Sequence, residues 1–89
     1  MSDGYQIVVS RDVAKAMRRL PKNAQRAIVE AFVSLREQPR AGKQLTAELT
    51  GIWSLRRGDY RILYRIDDRR RLVEIARVGH RREVYERRW

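Results

Sequence analysis

The chain lacks cysteine, and it has a single histidine and two prolines among its 89 residues. Without cysteine it has neither a disulfide framework nor a thiolate metal site, and it suits a reducing compartment, so we expect a cytoplasmic protein. One histidine and no carboxylate cluster at ligand spacing argue against a metal centre. We therefore expect no metal and no cofactor.

Long apolar runs are also missing, since no stretch approaches the roughly 18 residues that a membrane span needs. The first residues, Met1-Ser2-Asp3-Gly4, do not show the basic region followed by an apolar stretch that marks a signal peptide. We expect no membrane partner. The length predicts one small domain, residues 1–89, with a core near the lower limit of what suffices.

Positive charge is what the chain has in abundance. It carries 21 Lys and Arg against 11 Asp and Glu, which gives a net charge of +10. Such a surface favours polyanions, with nucleic acid as the first candidate and an acidic protein as the second. The alternative is a surface enriched in arginine without a specific function.

Hydrophobic periodicity predicts a strand over 5–9 followed by two helices. Ser10 is placed as the N-cap of a helix with Val13, Met17 and Leu20 on one face. A second helix begins after Pro21, with an apolar stripe at Ala24, Ile28, Ala31, Phe32 and Leu35. Pro39 and Gly42 end it. A hairpin of two helices is the expected arrangement.

From Ile52 the apolar period changes to two, which predicts strands over 52–57, 60–66 and 72–78. Residues 42–51 are interpreted as a loop with a helical turn. The order predicts an α+β fold in which an N-terminal strand and a helix hairpin precede an antiparallel β-meander, with the helices on one side of the sheet and the other side free. A hairpin loop at 68–70 would place Arg61 opposite Arg77, with Arg81 near the same end of the sheet.

Two segments, DYRILY at 59–64 and VGHRREVY at 78–85, together with the preceding helix pair, resemble the RelE/ParE superfamily and more closely its RelE branch. The resemblance implies a toxin of a bacterial type II toxin–antitoxin system that cleaves messenger RNA in the ribosomal decoding site. It also implies a cognate RelB-like antitoxin that neutralises the toxin. Operator DNA would be contacted only indirectly, through the antitoxin complex.

The resemblance also implies site residues. Arg61, Arg81 and Tyr85 match the family's catalytic positions, and His80 stands where members carry Lys or His. Well-known RelE members have two lysines where this chain has Ile52 and Ser54, and neighbouring arginines are candidates to supply that charge. The candidate RNA-binding residues are Arg56, Arg57, Arg65, Arg77 and Lys43.

Metal-independent RNA cleavage uses the 2′-hydroxyl as nucleophile, and it requires charge stabilisation on the phosphate and proton transfers at two oxygens. The planar fork of Arg61 can clamp two phosphate oxygens. Arg81 is the candidate for a second clamp or for stabilising the leaving oxygen. Tyr85 is a candidate base or a stacking platform, and His80 a candidate general acid.

Other interpretations remain open at this point. One is a ParE-like inhibitor of DNA gyrase that acts by binding. Another, motivated by Ile52 and Ser54, is an inactive toxin that persists in antitoxin and operator binding. Tyr60, Tyr64 and Trp53 are expected to be core residues before they are base platforms, and Arg61 and His80 also have purely structural interpretations.

Overall fold

The computed structural model describes residues 4–46 and 50–84. The elements, in chain order, are β1 (Gln6–Val9), α1 (Arg11–Arg18), α2 (Lys22–Glu37), a 3₁₀ turn (Pro39–Ala41), β2 (Lys43–Gln44), β3 (Trp53–Arg57), β4 (Tyr60–Asp67), β5 (Leu72–His80) and α3 (Arg81–Val84). The α+β fold predicted from the sequence is confirmed, whereas Tyr85 lies outside the described residues.

Both helices begin where the sequence predicts, but α1 ends at Arg18, so Leu20 lies outside it. The Oγ atom of Ser10 accepts a hydrogen bond of 3.2 Å from the backbone N–H of Val13, which caps α1. Pro21 precedes α2, whose buried face consists of Ala24, Ile28, Ala31, Phe32 and Leu35. In the described part of the chain, none of the helices has the length and apolarity needed to span a bilayer.

The sheet has the strand order β1-β5-β4-β3-β2, with β1 parallel to β5 and the remaining neighbours antiparallel. The meander of β3, β4 and β5 matches the prediction. The sequence did not predict strand β2, in which Lys43 and Gln44 pair with Ser54 and Trp53 where a loop was expected. A strand of two residues is too short to show an alternating pattern.

The helices cover one face of the sheet and close the main core over it. Ile62 and Tyr64 on β4 and Val73 on β5 have no exposed surface in this core. The sequence predicts that the opposite face is free, but this is only partly so. Leu63 is fully buried on that face, beneath Leu45 and Ile52. One flank of that face is therefore covered by the connection between β2 and β3.

The register between β4 and β5 differs from the prediction. Arg61 pairs with Gly79, and Arg77 pairs with Leu63, so the predicted pairing of Arg61 with Arg77 is wrong. The turn covers 68–71 where 68–70 was expected, and a bulge between Leu63 and Tyr64 shifts the register again. The two shifts add to an even number, so Arg77 still lies on the face that carries Arg61.

Tyr64 holds the 3₁₀ turn against the sheet. Its hydroxyl donates to the carbonyl of Pro39 at 2.7 Å and accepts from the backbone N–H of Gly42 at 3.1 Å. A Cβ atom at Gly42 would lie 2.6 Å from that hydroxyl and 2.7 Å from the carbonyl oxygen of Ser54, so glycine is needed there. Burial raises the pKa of the Tyr64 phenol. The core interpretation of Tyr64 is confirmed.

Candidate functional site

Positively charged side chains gather on the sheet face opposite the helices. The register places Arg56 on β3 directly opposite Arg61 on β4, and it places Lys43, Ser54, Leu63 and Arg77 in one row across four strands. Side chains of paired residues share a face. We call this surface the basic face, and its positively charged members are Lys43, Arg56, Arg61, Arg65 and Arg77.

Arg61 occupies the centre of the basic face, and its neighbours there are cations. Arg56 is its direct cross-strand partner, and Arg77 lies diagonally across β5, roughly 7–8 Å away. Arg61 forms no ion pair with any described residue, and Glu74 is opposite Arg65, farther along the sheet. Like charges placed opposite each other destabilise a sheet, so an anion bound at Arg61 would offset an unfavourable interaction.

The Arg61 side chain is held close to the sheet. Its Nη1 atom exposes less than 1 Å² and has no hydrogen-bond partner among the described residues, while the Nη1 atom of Arg77 is equally buried. A charged donor removed from water interacts more strongly with an opposite charge than one in bulk solvent. A phosphate oxygen that reached Arg61 would satisfy this donor.

Arg56 and Arg57, which are adjacent in sequence, lie on different faces. The Nε atom of Arg56 donates to the carbonyl of Gly58 at 3.2 Å, which holds this exposed side chain at the β3–β4 turn beside Arg61. Arg57 pairs with Tyr60, whose ring packs on the main core, and it donates to the carbonyl of Arg56 at 2.9 Å. The structure therefore brings Arg56, but not Arg57, to the basic face.

Arg81 is the first residue of α3, immediately after β5 ends. Its backbone N–H donates to the carbonyl of Asp59 at 2.8 Å, so the start of α3 is attached to the β3–β4 turn. Gly79 lies opposite Arg61 and precedes Arg81 by two positions, which keeps the Cα atoms of Arg61 and Arg81 within about 12 Å of each other. The exposed Arg81 side chain can therefore approach a phosphate held by Arg61.

His80 lies on the other face of the sheet from Arg61. It pairs with Tyr60, and the two rings meet edge to face with their centroids 5.8 Å apart. Its Nδ1 atom accepts a hydrogen bond of 3.1 Å from the backbone N–H of Arg82. Sequence reasoning missed this contact because histidine is not among the residues that typically cap helices.

The chain is similar to known proteins in sequence and in fold. A sequence profile described as "ParE toxin of type II toxin-antitoxin system, parDE" matches residues 7–85. The chain belongs to the RelE/ParE family of type II toxins. The toxin is 44% identical over 85 residues to Toxin RelG of Mycobacterium tuberculosis. The aligned region covers 93% of this chain and 98% of that one. It is 40% identical over 89 residues to Toxin RelE of the same organism, covering 96% and 92% of the two chains.

A solved structure shows the same relation. The toxin matches a chain in the crystal structure of the toxin–antitoxin complex RelBE2 from Mycobacterium tuberculosis with a TM-score of 0.80 and 43% identity, covering 86% of this chain and 91% of that one. These relatives favour the RelE branch over the ParE-like alternative. The family predicted from the sequence is confirmed.

The two positions where the toxin departs from RelE members have different surroundings. Ile52 is 3% exposed and packs on Leu63, so this position contributes to the apolar cover of one flank. Ser54 lies in the row of the basic face, and Lys43 on β2 is its direct cross-strand partner. A lysine is thus present beside Ser54, although it comes from a strand that the sequence pattern did not reveal.

Metal ligands are scarce in the same region. Within residues 4–46 and 50–84, no group of three or more His, Asp or Glu side chains is placed to hold a metal ion. The site that these residues form is an array of guanidinium and ammonium donors. Such an array binds and stabilises phosphate charge.

Proposed function

We propose that the toxin is a metal-independent endoribonuclease that cleaves messenger RNA on the ribosome and is neutralised by a RelB-like antitoxin. The observation that most directly supports the proposal is the position of Arg61, which has a buried donor atom and faces Arg56 across the sheet. Membership of a toxin family whose matched relatives are named RelE and RelG supports the same activity.

In the proposed reaction the 2′-oxygen attacks the adjacent phosphorus, and the bond from phosphorus to the 5′-oxygen breaks. The products are a 2′,3′-cyclic phosphate and a 5′-hydroxyl end, whose oxygen takes its proton from water. Arg61 stabilises the two non-bridging oxygens as their negative charge increases, and Arg81 stabilises the second side of the phosphate or the leaving oxygen. Tyr85, which lies outside the described residues, is proposed as the base that accepts the 2′-hydroxyl proton or as a stacking platform.

Lys43 and Arg56 supply charge that Ile52 and Ser54 do not. Lys43 is across from Ser54, and Arg56 is across from Arg61, so both flank the row in which the scissile phosphate would lie. Arg65 and Arg77 extend the same surface along β4 and β5. We propose that these four residues hold the RNA backbone on either side of the cleaved bond.

The proposed antitoxin is an acidic or amphipathic segment that becomes ordered on binding. A strongly basic face attracts carboxylates as readily as phosphates. The matched chain in the RelBE2 structure comes from a toxin–antitoxin complex. An antitoxin that covered Arg61 would exclude RNA, so inhibition would follow from occupying the same charges.

The decisive experiment is induction of a double variant, Arg61→Ala with Arg81→Ala. We expect growth arrest to be abolished, and each single substitution should reduce the cleavage rate roughly 100- to 1000-fold, as does removal of one donor from an electrostatic site. Primer extension on cellular messages measures the cuts. The matched control is Arg26→Ala with Arg69→Ala, which removes the same charge from two exposed positions away from the basic face.

Folding of both double variants is checked by circular dichroism and by urea denaturation. Undiminished toxicity of the folded Arg61→Ala, Arg81→Ala variant would contradict the proposal. Induction of the native toxin also separates the alternatives. Codon-linked cuts support cleavage on the ribosome, intact messages with DNA damage indicate gyrase inhibition, and harmless overexpression indicates an inactive toxin.

A further inference from the structure

We propose that His80 is a positioning residue, which caps α3 through its Nδ1 atom and thereby fixes the orientation of Arg81 for catalysis. The inference rests on the proposed function, because it assigns His80 a part in that reaction. It differs from the general-acid role expected from the sequence. In the proposed role, the imidazole acts on the backbone of the toxin and does not contact RNA.

A hydrogen bond joins the imidazole to the first turn of α3. The Nδ1 atom of His80 accepts from the backbone N–H of Arg82 at 3.1 Å, which is the relation of an N-cap side chain to the N–H two positions later. A nitrogen that accepts this bond carries no proton, so the proton of the neutral ring lies on Nε2. The ring is thus held in one tautomer by the helix that it caps.

Tyr60 packs against the His80 imidazole and holds it in place. The Tyr60 ring meets the imidazole nearly at right angles, with an interplanar angle of 80°, and Tyr60 packs against the main core. The carbonyl of Asp59, next to Tyr60, accepts from the N–H of Arg81. Two adjacent residues of the β3–β4 hairpin therefore fix the first turn of α3, one through the backbone and one through His80.

His80 and the basic face lie on opposite sides of the sheet. The register places His80 on the Tyr60 side of the sheet, whereas Arg61 is on the other side, opposite Gly79. A general acid must come within hydrogen-bond reach of the leaving oxygen. The imidazole faces away from the phosphate that Arg61 would hold, while the helix that it caps begins with Arg81.

A pair of substitutions separates the three possible roles of His80. His80→Asn keeps an acceptor at the cap but removes the ring and its Nε2 proton, and asparagine is a favoured N-cap residue. His80→Phe keeps a ring against Tyr60 but removes the acceptor. The measured quantities are the single-turnover cleavage rate of messenger RNA on purified ribosomes and the dissociation constant of the toxin for those ribosomes.

A capping role predicts that His80→Asn keeps the native rate within about twofold. It predicts that His80→Phe lowers the rate about fivefold, which is the population change that loss of a cap typically causes. The dissociation constant should change little, because Arg56, Arg65 and Arg77 are untouched. Loss of rate in both variants would overturn the proposal in favour of a general acid. Loss in His80→Asn alone would overturn it in favour of ring packing.

A measurement without RNA tests the cap separately from the proposed activity. An N–H···N hydrogen bond transmits a nuclear spin coupling between its two nitrogens, so ¹⁵N spectroscopy of the native toxin should show a coupling between Arg82 N and His80 Nδ1. Amide exchange of Arg82 should be faster in His80→Phe than in His80→Asn. If the native toxin cleaved no message, the proposed function would fail. Absence of both signatures would overturn the cap itself.

Discussion

Arg61 shows how one residue acquires a functional role from its surroundings. An arginine on a strand is ordinarily a solvated surface residue, but Arg61 has a cation opposite it on β3 and a buried Nη1 atom. Both features cost stability in the free toxin, since like charges repel and a buried donor that has no partner among the described residues loses its hydration. A phosphate bound at Arg61 would offset both costs. The arrangement that destabilises the free toxin therefore favours binding of a phosphate.

Tyr64 is the residue whose removal should affect the fold most specifically. Tyr64→Phe leaves the Gly42 N–H and the Pro39 carbonyl without the partner that they have in the native toxin, and we expect a loss of about 1–3 kcal/mol in the free energy of unfolding. Urea denaturation at neutral pH measures it. Tyr60→Phe is the matched control, because it removes a hydroxyl and keeps its ring against His80. An equal loss in both variants would contradict the assignment.

The raised pKa of Tyr64 makes the stability effect of Tyr64→Phe depend on pH. Burial raises the pKa of this phenol above the ordinary value of 10.0, so the unfolded chain loses the proton at a lower pH than the folded one. The stabilisation is present below that ordinary value and is lost as pH rises through the higher folded pKa. The stability difference between the native toxin and Tyr64→Phe should therefore shrink in alkaline solution.

At the scale of elements, one carboxylate joins three segments at the end of the sheet away from the β3–β4 turn. Asp68, in the β4–β5 turn, accepts a hydrogen bond of 2.6 Å from the Tyr5 hydroxyl and forms an ion pair with Arg40 in the 3₁₀ turn. The guanidinium of Arg71 lies over the Tyr5 ring, 4.8 Å from its centroid. These contacts attach the residue before β1 and the 3₁₀ turn to the same hairpin.

This link predicts a dependence on acid. The hydrogen bonds from Arg40 and then Tyr5 lower the pKa of Asp68 below its ordinary value of 3.8. A lowered pKa gives stability that is present above the ordinary value and is lost as pH falls through the folded value. Because the pair is exposed, the effect should be small.

The measurement is urea denaturation between neutral pH and about pH 2, for the native toxin and Asp68→Asn. The native toxin should lose more stability than the variant once the pH falls below about 4. Asp12→Asn is a suitable control, since Asp12 is an exposed carboxylate in the first turn of α1. Parallel curves for the native toxin and Asp68→Asn would show that the link does not stabilise the fold.

The elements also show what sequence can and cannot predict. The buried face of α2 was predicted residue by residue, because a helical period leaves one stripe for the core. The alternation of core-facing and outward-facing residues on β4 was predicted from the period of two that strands show. The pairing of Arg61 was not, since it depends on the length of the 68–71 turn and on a bulge, neither of which has a periodic signal. Lys43 was proposed as an RNA contact, but the strand that places it beside Ser54 was missed.

For the whole molecule, the net charge of +10 matters less than where the charge lies. Arg69 and Arg56 are both exposed, but Arg69 lies in the β4–β5 turn, at the other end of β4 from Arg61. A strand of β4's length separates the two ends by roughly 20–25 Å, which is well beyond a Debye length at physiological salt. Charges at the two ends therefore act on different parts of a bound RNA or on none.

This separation predicts a difference in salt dependence. Binding of single-stranded RNA releases counterions, so the logarithm of the association constant falls with the logarithm of salt concentration, with a slope of roughly −0.7 for each phosphate neutralised. Arg56→Ala should make the slope shallower by about that amount, because one contact on the basic face is lost. Arg69→Ala should leave the slope unchanged, although both variants have the same net charge.

Fluorescence anisotropy with a short labelled RNA, titrated at several sodium chloride concentrations, measures both slopes. Equal changes in the two variants would mean that the toxin binds RNA through its net charge, without a defined surface. A change confined to Arg56→Ala would mean that the sheet selects which charges meet the backbone. In that case the order of the strands determines where RNA binds, because it brings β2, β3, β4 and β5 side by side on one face.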